Sequence, residues 1–262
     1  MSLLLVTALY DLYQGMGFES SPPTSSWSES WLSLDFRIKQ IQDLAECNVD
    51  MVVFVDPKIE PLLPKFYDGC TIIPYPLDKV RTYSSVIRQS DVLALPAMRN
   101  ETKDTLEYLA LMNSKLDFVE LAMELRDGFT HYAWVDAGIF KHIHDKGAGK
   151  NMINGWKSID FPNSIVTPCG LFPPLPSDVC FPIDSVYWRF LGSVLVIPSE
   201  MVPIFSSRCH NAMWCIMQEA GTITWEINTW AYLESRNPDM FSPYLADHDG
   251  SIVNIPTNQW RS

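Results

Sequence analysis

Tyr132-Ala133-Trp134-Val135-Asp136-Ala137-Gly138 is a short hydrophobic strand that ends in a carboxylate and runs at once into small residues. Just before it, residues 115–126 place Leu116, Val119, Ala122 and Met123 on one helical face. A helix feeding a buried strand is half of a crossover unit, and the alternation continues on both sides. Upstream, 3–8 is an unbroken apolar run stopped by Tyr10-Asp11, as a parallel strand covered on both faces should be. A helix follows with Phe36, Ile38, Ile41 and Leu44 near the helical period, then strands at 51–55 and 71–74. Residues 82–89 and 102–112 read as helical, 192–198 as a strand, 203–220 as a helix, and 224–234 as a helix opened by Thr224 as N-cap. The Ser-, Gly- and Pro-rich stretch 14–30 reads as a loop over the end of the first strand. Residues 147–155 read as a glycine-containing loop, 168–182 as irregular and 237 onward as loop. The pattern predicts an α/β fold: a mixed, mainly parallel central sheet flanked by helices. In such a sheet ligands bind beyond the carboxyl ends of the strands, which is where Asp136 falls.

Composition narrows the classes. With 262 residues, 47% of them hydrophobic, and no clean linker or repeat, the chain reads as a single domain over 1–262 with an ordinary core. A net charge of -12 without clustered basic residues argues against tracking nucleic-acid phosphates. An acidic surface still suits an anionic nucleotide if a cation stands between its phosphates and the protein carboxylates. The opening apolar run lacks a basic flank and is far shorter than the roughly 20 residues of a spanning helix, so any membrane association should be peripheral. The six cysteines have no CxxC spacing, which points to no zinc knuckle. The expected setting is cytoplasmic.

Asp136 followed by Ala137-Gly138 suits a site where a divalent cation bridges a diphosphate and the backbone comes close. An aspartate capping a turn after a strand looks the same at this level. His142, His144 and Asp145 resemble a small metal cluster, and a solvated loop fits them better. The nine tryptophans are compatible with stacking on sugar rings and equally with core packing.

Asn113-Ser114-Lys115 with Trp134-Val135-Asp136-Ala137-Gly138, the opening Val6-Thr7-Ala8-Leu9-Tyr10-Asp11, and the later pair Phe190-Leu191-Gly192-Ser193-Val194 and Trp225-Glu226-Ile227-Asn228-Thr229-Trp230 together resemble the HtrL/YibB-like family. That family is similar to GT-A-fold glycosyltransferases. Each match is short; their order along the chain, from residue 3 to about 230, carries the resemblance.

The resemblance implies a single GT-A-like domain that moves a sugar, expected to be a hexose or deoxyhexose, from a nucleoside-diphosphate sugar to the hydroxyl of a glycan or other acceptor. Asp136 would stand at one carboxylate of the GT-A Asp-x-Asp metal motif, the other being absent here. His248, ahead of Asp249-Gly250, would complete the shell of a Mn or Mg ion, nitrogen favouring Mn. Thr7, Ala8 and Tyr10 would hold base and ribose, with Tyr10 stacking on the base. Lys115 would reach a phosphate or the sugar, and Gly192 and Ser193 would bring backbone close to the donor sugar. Glu226, between Trp225 and Trp230, would accept the proton of the acceptor hydroxyl; a carboxylate complementing a helix dipole would look alike. Two other functions compete. A nucleotidyltransferase would want a basic glycine-rich loop after the first strand, and residues 12–30 contain no Lys or Arg. A non-catalytic nucleotide- or glycan-binding protein on a degenerate GT-A fold would explain the missing carboxylate.

Overall fold

The computed structural model describes residues 2–12, 33–178 and 180–257. The loop expected at 14–30 lies outside these residues. One seven-stranded sheet organises the chain, in the order β3-β2-β1-β4-β6-β5-β7. Strands β1 (Leu3–Leu9), β2 (Met51–Val55), β3 (Cys70–Pro74) and β4 (His131–Val135) run parallel. β6 (Val194–Pro198) is antiparallel to both its neighbours, β4 and β5 (Ile165–Cys169), and β5 pairs in parallel with the edge strand β7 (Phe241–Leu245). The expected mixed, mainly parallel sheet is the one observed.

Helices cover both faces. Leu4 and Val6 of β1 pack into the core shared with α2 (Arg81–Ile87), α3 (Leu106–Asn113), α4 (Lys115–Leu125), α6 (Val202–Ala220) and α7 (Glu226–Arg236). Leu3, Leu5 and Leu9 point into the opposite core, with α1 (Leu34–Ala45) and α5 (Lys146–Gly155). Because neither face meets water, the polar alternation of a half-buried strand vanishes, which is why β1, β2 and β6 read as unbroken apolar runs. Each such fully buried aliphatic side chain contributes about 1.5–3 kcal/mol of transfer free energy. Phe118 of α4 anchors the first core, its ring stacked on Trp134 at 5.9 Å and on Tyr10 at 5.7 Å.

Several expectations need correction. Residues 147–155 are helix, despite three glycines, because Asp145 caps its N-terminus by accepting from the Ala148 amide. Lys146 and Lys150 then tie it to Asp43 of α1 at 2.7 and 2.9 Å. β5 ends inside the stretch read as irregular, and β7 lies in the tail read as loop. Thr224 does not cap α7, which starts at Glu226 after Trp225. Its hydroxyl instead accepts from Asn228 Nδ2 at 2.8 Å. The helix expected at 102–112 begins only at Leu106, where Thr105 caps it. Among the described residues no helix is long and apolar enough to cross a membrane.

Two polar ties hold the long connection between β5 and β6 against α7. Buried Asn228 donates to the carbonyls of Pro182 (2.8 Å) and Ser185 (2.9 Å) and accepts from the Tyr187 amide (2.8 Å). The Arg189 guanidinium grips the Glu234 carboxylate with two bonds, at 2.7 and 2.5 Å. Asn228→Ala strands several buried groups at once, so it is expected to lower stability by about 2–4 kcal/mol in denaturant unfolding. A loss under about 0.5 kcal/mol would show that the tie is dispensable.

Acid stability has a local source. Burial pushes the Asp43 and Asp117 carboxyls up, but hydrogen bonds from Lys146 and Lys150 to the first, and from His210 and the Thr82 amide to the second, outweigh it and hold both below the usual carboxylate range. A carboxylate with a depressed folded value stabilises above its ordinary value and loses that contribution as pH falls through the lower one. Melting temperature should therefore drop below about pH 4, with a shallower slope in Asp43→Asn. An unchanged slope would remove Asp43 as a source.

Candidate functional site

Four segments meet at the carboxyl end of β4. Asp136 is the first residue past the strand, and its amide donates to the Ser193 carbonyl at 2.9 Å. Since β6 runs the other way, Gly192-Ser193 at its start lie beside that end. Lys115 opens α4, because Asn113 closes α3 by donating to the Leu109 carbonyl (2.9 Å) and to the Thr224 carbonyl (2.8 Å). That second bond ties the start of α4 to the segment entering α7, so Lys115 faces Glu226.

Lys115 is the centre of the arrangement. Its Nζ donates to Glu226 Oε1 and to the Gly192 carbonyl, both at 2.8 Å, and pairs with Asp136 Oδ1 at 3.0 Å. Three acceptors match the three protons of an ammonium, and the side chain is only 2% exposed. Burial alone would lower the lysine's proton affinity; Asp136 and Glu226 reverse this and raise it above the ordinary lysine range. The stabilisation from this charge is therefore complete below the ordinary lysine value and is lost only in strong alkali.

The two carboxylates differ in access. Glu226 is 10% exposed and Asp136 33%. Asp136 Oδ1 also accepts from the Trp134 indole at 2.7 Å, while Oδ2 has no hydrogen-bond partner among the described residues. Gly192 is needed twice over. Its φ is +73°, and a Cβ there would stand 2.9 Å from Ile227 Cγ2 and 3.0 Å from Glu226 Oε1. Added bulk would thus strike the Lys115–Glu226 pair. The hydroxyl of Ser193 is turned to the Leu191 carbonyl, so Gly192 and Ser193 serve the site through backbone carbonyls.

A rim surrounds this centre. Lys141 folds over Gly138, its Nζ 3.9 Å from where a Cβ would stand. Although its surface is exposed, crowding by protein pulls its ammonium below the usual lysine range, with Asp136 opposing and Lys103 and Lys115 reinforcing. Burial, then Lys141 and His248, hold His142 down to about 4, so its imidazole is neutral near pH 7. The His248 ring packs edge-on against Trp188 at 5.1 Å and near His142 at 5.7 Å. Tyr108, which accepts from Lys103 at 3.2 Å, has its hydroxyl pushed up by burial and by the nearby Glu226 charge.

Of the residues expected at the site, Asp136, Lys115, Glu226, Gly192 and Ser193 come together, and His248 reaches the rim. Tyr10 and Thr7 are placed elsewhere. The Tyr10 ring stacks on Phe118 and is 4% exposed, and its hydroxyl donates to the Tyr75 carbonyl at 2.8 Å. Thr7 is fully buried on the α1 face of β1, and Ala8 is partly buried beside the other core. Lys115 reaches carboxylates and a carbonyl where a phosphate contact was expected. The residues suit a protein-held divalent ion poorly. Among the described residues no group of three or more His, Cys, Asp or Glu could hold one, and Asp136 already shares an oxygen with an ammonium and an indole. Trp134, Tyr108 and Lys141 were not singled out from the sequence. Lys141 carried a readable signal, a lysine a few residues past the strand-ending aspartate.

Gly192→Ala is expected to lose about 1–3 kcal/mol in denaturant unfolding, from the left-handed backbone and the contact with Glu226. An unperturbed midpoint would mean the turn relaxes freely.

No protein-family model matches the chain, and no curated protein does. A solved structure described as a glycosyltransferase involved in the glycosylation of the major capsid of PBCV-1 is similar over 93% of this chain and 81% of that one, at 10% identity and a TM-score of 0.41. The layering and strand order described above make this chain an α/β fold with a mixed, mainly parallel sheet flanked by helices.

Proposed function

We propose that this chain transfers a sugar from a nucleoside-diphosphate sugar to an acceptor hydroxyl, as its resemblance to the HtrL/YibB-like family implies. One observation carries the reading: a buried lysine holds two carboxylates from different elements at the ligand-binding end of an α/β sheet. An ion trio in the core proper would be a costly way to gain stability, and such groups cluster where charge must be handled.

In a direct displacement the acceptor oxygen bonds to the anomeric carbon as the bond from that carbon to the diphosphate breaks. The acceptor's proton passes to a carboxylate, and the departing diphosphate takes the electron pair. Glu226 is the proposed proton acceptor, with Lys115 holding its Oε1. Asp136 fixes Lys115 from the other side. Lys141 is the chain's proposed counter-charge for the diphosphate, since Lys115 is already committed. A Mn or Mg ion would come with the donor phosphates, and the chain would offer it Asp136 Oδ2, the oxygen that Lys115 and Trp134 do not hold.

The test is calorimetric titration with nucleoside diphosphates and nucleotide sugars, with and without Mn, followed by turnover assays. One nucleotide should bind, and Lys141→Met should weaken it about tenfold or more. Glu226→Gln should keep donor binding within a few-fold and slow transfer by about 10²–10⁴. Full activity in that variant would sink the base assignment, and a panel without any binding would sink the transfer reading.

A further inference from the structure

Away from Asp136, a cleft of about 310 Å³ opens on the outer surface between α2, α4 and α6. It is lined by Arg81, Ser85, Glu120, Ser207, Asn211 and Trp214, among others. Trp214 is 49% exposed, so part of its indole lies bare beside hydroxyl, amide and carboxylate groups. This volume sits at the small end of the range for small-molecule sites.

The floor of the cleft is rigid. The Thr82 amide donates to Asp117 Oδ2 at 2.6 Å, and His210 Nε2 lies 2.8 Å from Asp117 Oδ1 and 2.6 Å from the Thr82 hydroxyl. The hydroxyls that touch His210 belong to Thr82, on the cleft floor, and to Ser206, and both side chains are taken up by these contacts. Arg81, the cation of the cleft, is already engaged: its Nη2 meets Glu120 at 2.6 Å and Asp117 at 3.2 Å. An anion entering would have to compete with two carboxylates for one guanidinium.

A bare indole beside hydroxyl, amide and carboxylate groups fits a neutral, hydroxyl-rich ligand with an apolar face. A pyranose has this chemistry: its hydroxyls suit Ser85, Ser207, Asn211 and Glu120, and its polarised C–H face suits the negative face of an indole. We infer that the cleft is a binding subsite for a neutral saccharide, separate from the site at Asp136. The inference does not depend on sugar transfer. His210 and Met213 form the wall between this cleft and a void of about 10 Å³ behind Lys115 and Glu226, so the two sites are neighbours without being continuous.

The experiment is a titration of ¹⁵N-labelled protein with lactose, maltotriose and N,N′-diacetylchitobiose, read on the tryptophan indole resonances. The resonance missing in Trp214→Ala identifies Trp214. At least one saccharide should shift it, and affinity should fall about fivefold or more in Trp214→Ala and in Asn211→Ala while Glu226→Gln binds as the wild type does. Thermal melting of each variant separates lost binding from lost fold. If none of the three sugars shifts the Trp214 resonance, or binding survives Trp214→Ala and disappears in Glu226→Gln, the cleft is not a saccharide site.

Discussion

The ammonium of Lys115 is the constraint on which the candidate site depends. It is buried, and a buried charge is tolerable only when its donors are met. The Gly192 carbonyl, Asp136 and Glu226 meet them, and each comes from a different part of the chain. Satisfying one cation therefore sets the distance between the end of β4, the turn before β6 and the start of α7. The same requirement explains the glycine at 192, because a side chain there would meet Glu226 and Ile227 at about 3 Å.

Around this centre the chain uses polar ties where hydrophobic packing is thin. The connection between β5 and β6 leaves Leu171 and Phe172 exposed and buries no described residue before Arg189. Asn228 and the Arg189–Glu234 pair fasten it to α7, the helix that carries Glu226 at its first turn. Rigidity at the site and order in this connection are thus linked through one helix. On the outer face, Asp117 of α4 collects the Thr82 amide and His210, which docks α2 and α6 onto the helix that begins with Lys115.

Legibility in the sequence followed burial and periodicity. β1, β2 and β6 are covered on both faces and appear as continuous apolar runs. β5 and β7 carry prolines, Pro168 and Pro243, and read as irregular. They form because the proline carbonyl remains a good acceptor, as Pro168 does for the Leu191 amide, and because Pro243 lies on an edge strand. α5 was hidden by Gly147, Gly149 and Gly155, whose low helix propensity is offset by the Asp145 cap and by lysine contacts to Asp43. Thr224 resembles a cap in sequence, yet its hydroxyl serves Asn228, a choice made by a side chain on the following helix.

The sequence by itself determined the fold class and the place of Asp136 at the end of a central strand, because both follow from apolar spacing, which is local information. Lys115, Gly192 and Glu226 stood beside it only through the family resemblance. Only the tertiary structure decided the partners. Lys115 lies 77 residues from Gly192 and 111 from Glu226 along the chain, so no local pattern marks it as their common donor. That Tyr10 stacks on Phe118 and donates to the Tyr75 carbonyl, 65 residues away, is equally invisible to local pattern. Nothing local marks Trp214, and the cleft beside it exists only because α2 and α4 pack near α6. Which charges neutralise one another, and which aromatic faces stay bare, depend on contacts between distant segments and so are settled only when the chain has folded.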